Sequence, residues 1–188
     1  MASLIADVIA ARRAVRSYAP VALDEATVRA LLEAAVLAPT AMHLEPWAFV
    51  VVQDRALLRR LSDHAKELLR DPAVSHRGAH ELGMLADPGF NIFYDAGTLI
   101  VICGRPLGSF VVADCWLAAE NLMLAATSLG LGTCCIGFAV PVLNAPEVKR
   151  ELGIPADVTA VAPIIVGVPK GETPATTRKR PEILTWKR

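Results

Sequence analysis

Leu4, Ile5, Val8 and Ile9 repeat at the spacing of one helix face, which predicts a helix over Ser3–Arg13. Pro20 bars its continuation. Asp24 is the expected N-cap of a second helix and Glu25 its first-turn carboxylate. The apolar face of that helix is Val28, Leu31, Leu32, Ala35 and Val36, and Pro39 stops it. The β-rich run from Trp47 to Val52 predicts a buried strand. Leu57, Leu58, Leu61, Ala65, Leu68 and Leu69 restore the helical period. Between Asp71 and Asn91 that period is lost among Pro72, Gly78, Gly83, Pro88 and Gly89, so a mobile excursion with one short helix is expected.

The second half repeats the alternation. GTLIVICG, residues 97–104, reads as a strand. Val111–Leu129 reads as a long helix, apolar on nearly every side, as a helix buried in a core or a subunit interface must be. Its run is broken by Asp114, Glu120 and Asn121. GTCCIGF, residues 132–138, is a strand or extended loop, Ala145–Leu152 a short helix, and VTAVAPIIVGV, residues 158–168, a central strand. Alternating strands and helices place the chain in a mixed α and β class. Residues 1–168 form one domain; residues 169–188 are a polar, basic extension with no core of its own.

Composition narrows the picture. Among 188 residues, Lys+Arg and Asp+Glu are both 19, a balance that argues against a nucleic-acid or membrane-surface partner. No apolar run reaches the roughly 18 residues of a membrane span. The N-terminal stretch carries Asp7 and keeps its charge after the apolar part, which does not fit a secretory signal. Cys103, Cys115, Cys134 and Cys135 form no C-x-x-C pair, and the four histidines show no ligand spacing, so no metal is expected. A reduced, cytoplasmic setting is the default for such a chain.

Arg12, Arg13 and Arg16 fall within five residues at the end of the first helical pattern. They are either a helix end paired with carboxylates or a docking point for an anion, for which the guanidinium fork is suited. No G-x-S-x-G elbow, G-x-x-x-x-G-K-[ST] loop or H-E-x-x-H helix occurs, and GLGTCCIG lacks the G-x-G-x-x-G spacing.

Six motifs in order resemble one family, the FMN-dependent nitroreductase superfamily: Arg12-Arg13-Ala14-Val15-Arg16, Ala38-Pro39-Thr40-Ala41-Met42-His43-Leu44-Glu45-Pro46-Trp47, YDAGTLIVI, NLMLAATSLGLGTCCIG, ELGIP, and a basic tail before PEILTW. The resemblance covers almost the whole chain. It implies an α+β fold with a central mixed sheet flanked by helices, in an intertwined homodimer with FMN between the subunits. It assigns Arg12 and Arg16 to the 5′-phosphate and the N1–C2=O edge of the flavin, with Arg13 held through its backbone or side chain. Pro39, Thr40, Ala41 and His43 line the dimethylbenzene side. Cys135, Ile136 and Gly137 pass under the ring, with the N–H of Ile136 or Gly137 aimed at N5. Arg178 and Arg180 of the tail reach the phosphate, often from the partner subunit. Trp47 and the cysteines read as core.

By the same resemblance, NADH or NADPH donates a hydride through flavin N5 to a nitroaromatic, quinone or similar electrophile in a ping-pong reaction. No side-chain acid or base is assigned. A specialised FMN reaction, reductive dehalogenation or flavin fragmentation, and a non-catalytic flavin-binding role are the alternatives. Ala14 stands where the family commonly has Ser, and His43 and Glu45 where it has Asn and Gln. The H-x-E-P-W stretch is similar to the iodotyrosine deiodinase branch. The 71–90 segment offers Arg77, His80 and Glu81 in place of that branch's tyrosine and lysine, so iodotyrosine is not the expected substrate.

Overall fold

The computed structural model describes residues 2–70 and 79–188. Its elements are helix α1 (Ala2–Ala11), α2 (Glu25–Ala35), strand β1 (Trp47–Val52), α3 (Arg55–Arg70), α4 (Ala79–Ala86), β2 (Thr98–Gly104), α5 (Val111–Ser128), β3 (Gly132–Cys135), α6 (Val140–Leu143), α7 (Pro146–Glu151) and β4 (Thr159–Gly167). Of the excursion expected over Asp71–Asn91, residues 71–78 lie outside the described residues; the short helix is α4.

All seven residues of β2 are buried, because β2 is covered on both faces. Successive side chains of a strand point to opposite sides. Leu99, Val101 and Cys103 therefore join one core with Leu58, Leu61, Ala65 and Leu69 of α3 and Val142 of α6. Ile100 and Ile102 join another with Leu31 and Ala35 of α2 and Cys115, Ala118 and Leu122 of α5. The result is a helix–sheet–helix sandwich of the α+β class. Side Asp24 caps α2 by accepting the Thr27 N–H at 2.7 Å.

The strand order is β1-β2-β4-β3, and the three ladders are antiparallel. Among the described residues, the parallel contribution is a single bridge, Ala14 to Thr133. β4 lies between β2 and β3, as its apolar run requires. It holds an extra residue opposite the Ile102–Cys103 step, where Cys103 pairs with Ala160 and Ile102 with Ala162. Pro163 lacks an N–H, but its carbonyl accepts the Ile136 N–H at 2.9 Å and so extends the pairing beyond β3.

The segment after α1 is stitched to the far edge of this sheet. Val15 N–H donates to Thr133 O at 2.9 Å, Ala19 N–H to Val168 O at 2.8 Å, and Lys170 N–H to Ser17 O at 2.9 Å. The buried Tyr18 hydroxyl donates to Val15 O at 2.8 Å. The approach is close enough that glycine is needed beneath it: a Cβ on Gly132 would lie 2.7 Å from Val15 Cγ2, and one on Gly167 would lie 3.0 Å from Tyr18 Cδ1.

Not every apolar face finds cover within the chain. The α1 stripe of Leu4, Ile5 and Ile9 is exposed, as are Val112, Trp116 and Leu117 of α5. The long helix is thus buried on one side only, against the sheet and α2. In the extension, Leu184 is 90% exposed, with Ile183 and Trp186 also open.

Gly132→Ala should destabilise the fold by about 1–3 kcal/mol in urea unfolding, the usual scale of overpacking. Adding Val15→Ala, which removes the crowded methyls, should restore part of that loss. A Gly132→Ala protein as stable as the parent would show that the edge segment is not tightly seated.

Candidate functional site

The edge segment presents its arginines at the end of β3. Arg12 lies partly buried beside α5, its Nε 3.7 Å from Glu120 Oε1. Arg16 stands over the Tyr94 ring, 6.0 Å from the ring centre. Burial pushes the Cys134 thiol up, and Arg16 and then Arg12 oppose that shift. In Cys135 burial again dominates and raises the thiol to about 11, with Arg12 opposing. Both thiols are therefore neutral near pH 7, as core residues are, with Arg12 and Arg16 acting on Cys134 and Arg12 on Cys135.

Arg13 turns the other way. Its Nη1 donates to the Ala10 carbonyl and, at 2.9 Å, to the Arg12 carbonyl, capping the end of α1. It is thus spent on local structure within the chain. Ala14 bridges to Thr133, whose buried Oγ1 has no hydrogen-bond partner among the described residues.

Past β3 the two backbone donors named above separate. The Ile136 N–H is committed to Pro163 O at 2.9 Å. Gly137 is exposed, and a Cβ placed on it would meet nothing within 4 Å, so open space lies over its backbone. Below Arg16 a cleft of about 370 Å³ is lined by Arg16, Tyr18, Phe90, Tyr94, Asp95 and Lys170, among others. Its wall is built on left-handed backbone: Tyr94 and Asp95 have φ of 52° and 56°. Asn91 fixes that turn, donating to Asp95 Oδ1 at 2.7 Å and accepting from the Phe93 N–H at 2.9 Å.

The Pro39–His43 turn sits at the other end of α5 and does not line this cleft. Met42, His43 and Glu45 have φ of 54°, 57° and 45°. Non-glycine residues held there cost on the order of 1–3 kcal/mol each and cluster at functional sites. The Ala41 N–H donates to Asp114 Oδ1 at 3.1 Å, and Glu45 N–H to Thr40 Oγ1 at 3.4 Å. His43 Nε2 is 3.5 Å from Glu45 Oε1, with the imidazole 91% exposed. Met42 is 88% exposed. One chain thus brings Arg12 and Arg16 to the end of β3 beside Cys134, and leaves the 39–43 turn projecting outward.

In the extension, Arg178 donates to the Thr177 carbonyl at 3.5 Å, and Arg178 and Arg180 are exposed. No hydrogen bond or ion pair joins them to the sheet among the described residues. Of the 71–90 candidates, Arg77 lies outside the described residues. Asp114, Glu120, Tyr94 and Lys170 escaped the sequence reading of the site. For the two in α5 a signal was present, since Asp114 and Glu120 are carboxylates inside a mostly apolar helix. Tyr94 and Lys170 carried no comparable signal.

A model of the nitroreductase family matches residues 9–168. A protein of Archaeoglobus fulgidus, provisionally named an NADH dehydrogenase/NAD(P)H nitroreductase, is 30% identical over 166 residues, 86% of this chain and 83% of that protein. A 5,6-dimethylbenzimidazole synthase of Rhodospirillum rubrum is 30% identical over 183 residues, covering 90% and 83%. The crystal structure of a nitroreductase with bound FMN from Bacteroides fragilis superimposes with a TM-score of 0.84 at 29% identity, over 97% of this chain and 98% of that one. The family match leaves out only the first eight residues and the C-terminal extension, and the chain belongs to the nitroreductase family.

Proposed function

We propose that this chain is an FMN-dependent oxidoreductase that takes electrons from NADH or NADPH and passes them to nitroaromatic, quinone or related electrophilic acceptors. The observation that carries the reading is that the segment bearing Arg12 and Arg16 is bonded to β3, Val15 N–H to Thr133 O at 2.9 Å, with the backbone past β3 open at Gly137. These residues fit FMN: a phosphate of about −1.5 to −2 charges is matched by guanidinium donors, and the open space over Gly137 leaves room for a planar ring to approach its backbone. FMN, when bound, accepts a hydride from the donor and returns it to the acceptor.

The chain's own part is binding, orientation and charge. The Glu120 carboxylate meets Arg12 at Nε, which leaves both Nη groups for a phosphate. Arg16 places a fixed cation where negative charge develops on a reduced ring edge. Because Ile136 gives its N–H to Pro163, Gly137 N–H is the donor assigned to N5. Donor and acceptor use one opening in turn.

The second half of each pocket comes from a second copy of the chain. This part of the reading is supported by what one chain leaves uncovered: the apolar stripes of α1 and α5, the outward 39–43 turn, and the free edge of β1, which pairs only with β2 among the described residues. The extension holds six basic and two acidic side chains, and residues 1–168 hold 13 and 17, so opposite charge draws the tail of one copy to the body of the other. Arg178 and Arg180 would then reach the partner's phosphate site.

The likeness to the 5,6-dimethylbenzimidazole synthase favours a narrower second reading, a specialised FMN reaction at the same site. The two part on one assay: steady oxidation of NADH or NADPH with a nitroarene or quinone is expected of the first and fails under the second.

Purified protein should take up FMN, with its yellow absorbance and quenched fluorescence. Arg12→Ala and Arg16→Ala should each weaken binding about 10- to 100-fold, the worth of one charge-assisted hydrogen bond. Folded variants with the parent's FMN affinity would sink the assignment. Sedimentation at micromolar concentration should show a dimer, and Trp116→Glu should shift it toward monomer at least tenfold. A parent protein that sediments as a monomer would remove the two-chain site.

A further inference from the structure

We propose that Asp114 is the positioning residue for the 40–45 turn, and through it for the wall of the cofactor pocket. The proposal rests on the reading of that turn as pocket wall. It starts from an imbalance. Three of the residues from Met42 to Glu45 sit in left-handed backbone without glycine. Such a shape persists only when its surroundings over-determine it. Yet most of the hydrogen bonds of the turn are internal: His43 N–H to Thr40 O at 3.4 Å, Leu44 N–H to Ala41 O at 3.2 Å, and Glu45 N–H to Thr40 Oγ1 at 3.4 Å. Among the described residues, the one hydrogen bond that ties residues 40–45 to the rest of the chain is Ala41 N–H to Asp114 Oδ1, at 3.1 Å and 73 positions away.

Asp114 is suited to this task. It is 4% exposed and forms no ion pair among the described residues. It lies in the first turn of α5, where unpaired N–H groups favour a carboxylate. The helix that packs on the sheet therefore fixes the carboxylate, and the carboxylate fixes the turn. On the other side of that anchor, Leu44 leans on the loop before α5, where a Cβ on Gly108 would lie 3.4 Å from Leu44 Cδ1. Without the Asp114 acceptor, the strained backbone relaxes and His43 and Glu45 lose their places.

Three proteins test this: the parent, Asp114→Ala and Asp114→Asn, whose amide oxygen still accepts the Ala41 N–H. Amide hydrogen exchange at residues 41–45 reads the anchor without any cofactor, and FMN titration reads its effect on the pocket. Asp114→Ala should speed exchange in the turn and raise the FMN dissociation constant about tenfold or more, the scale of a lost hydrogen bond to a charged group. Asp114→Asn should keep both within about threefold. If Asp114→Ala does not fold, Asp114→Ser, too short to reach Ala41, takes its place. Unchanged exchange in the turn overturns the anchor, as does an Asn variant as impaired as the Ala variant. Faster exchange with unchanged FMN affinity overturns the link to the pocket. A parent that binds no FMN overturns the functional reading instead, and the exchange data still decide the anchor.

Discussion

The attachment of residues 14–19 to the exposed edge of the sheet is the interaction on which the rest depends. β3 is an edge strand, and its outer backbone groups need partners. Val15 supplies one through Thr133, and the chain then runs on to bond with Val168 and Lys170 at the exit of β4. That pairing converts a sequence-local cluster of arginines into a feature of the sheet. Arg12 and Arg16 stand near Cys134 because the segment between them is extended and held in register, with Tyr18 locked back onto Val15. Arg13, one residue out of phase, is turned to the opposite side and closes α1.

α5 is the second organiser. Its buried face is apolar apart from Asp114, with Asn121 and the exposed Glu120 at its margins. Each holds a different segment: Asp114 the Ala41 N–H, Glu120 the Arg12 guanidinium, and Asn121 the Ala34 carbonyl at the end of α2, at 3.2 Å. A polar group near a packed helix is retained where it satisfies a backbone or a charge that would otherwise lack a partner. The helix thus sets the positions of α2, the edge segment and the strained turn relative to the same core.

Much of the fold was legible because it rests on long patterns. The strand Trp47–Val52 has the bounds its β-rich run gives it, Asp24 caps α2, and β4 is central, as its uninterrupted apolar run requires. The candidate site was legible in part, through residues whose chemistry is unusual for their neighbourhood. What stayed hidden depends on backbone geometry and on long-range partners. No glycine announces the left-handed residues Met42, His43, Tyr94 and Asp95. The loss of the Ile136 N–H to Pro163 follows from strand register, which an apolar sequence does not specify by composition. The exposed side of α5 was not readable either, since a helix apolar on nearly every side does not say which of its faces meets its own chain.

The bond from Val15 to Thr133 joins residues 118 positions apart. Contacts of such span must offset the entropy of closing a long loop, and topologies rich in them assemble slowly. The helices and the three ladders, whose partners are nearer along the chain, can form first. On that ordering the N-terminal cations reach their station only when the sheet edge already exists. A chain on which β3 and β4 have not yet paired has no place to seat them, so the position of Arg12 and Arg16 is coupled to late assembly of the sheet rather than to early collapse.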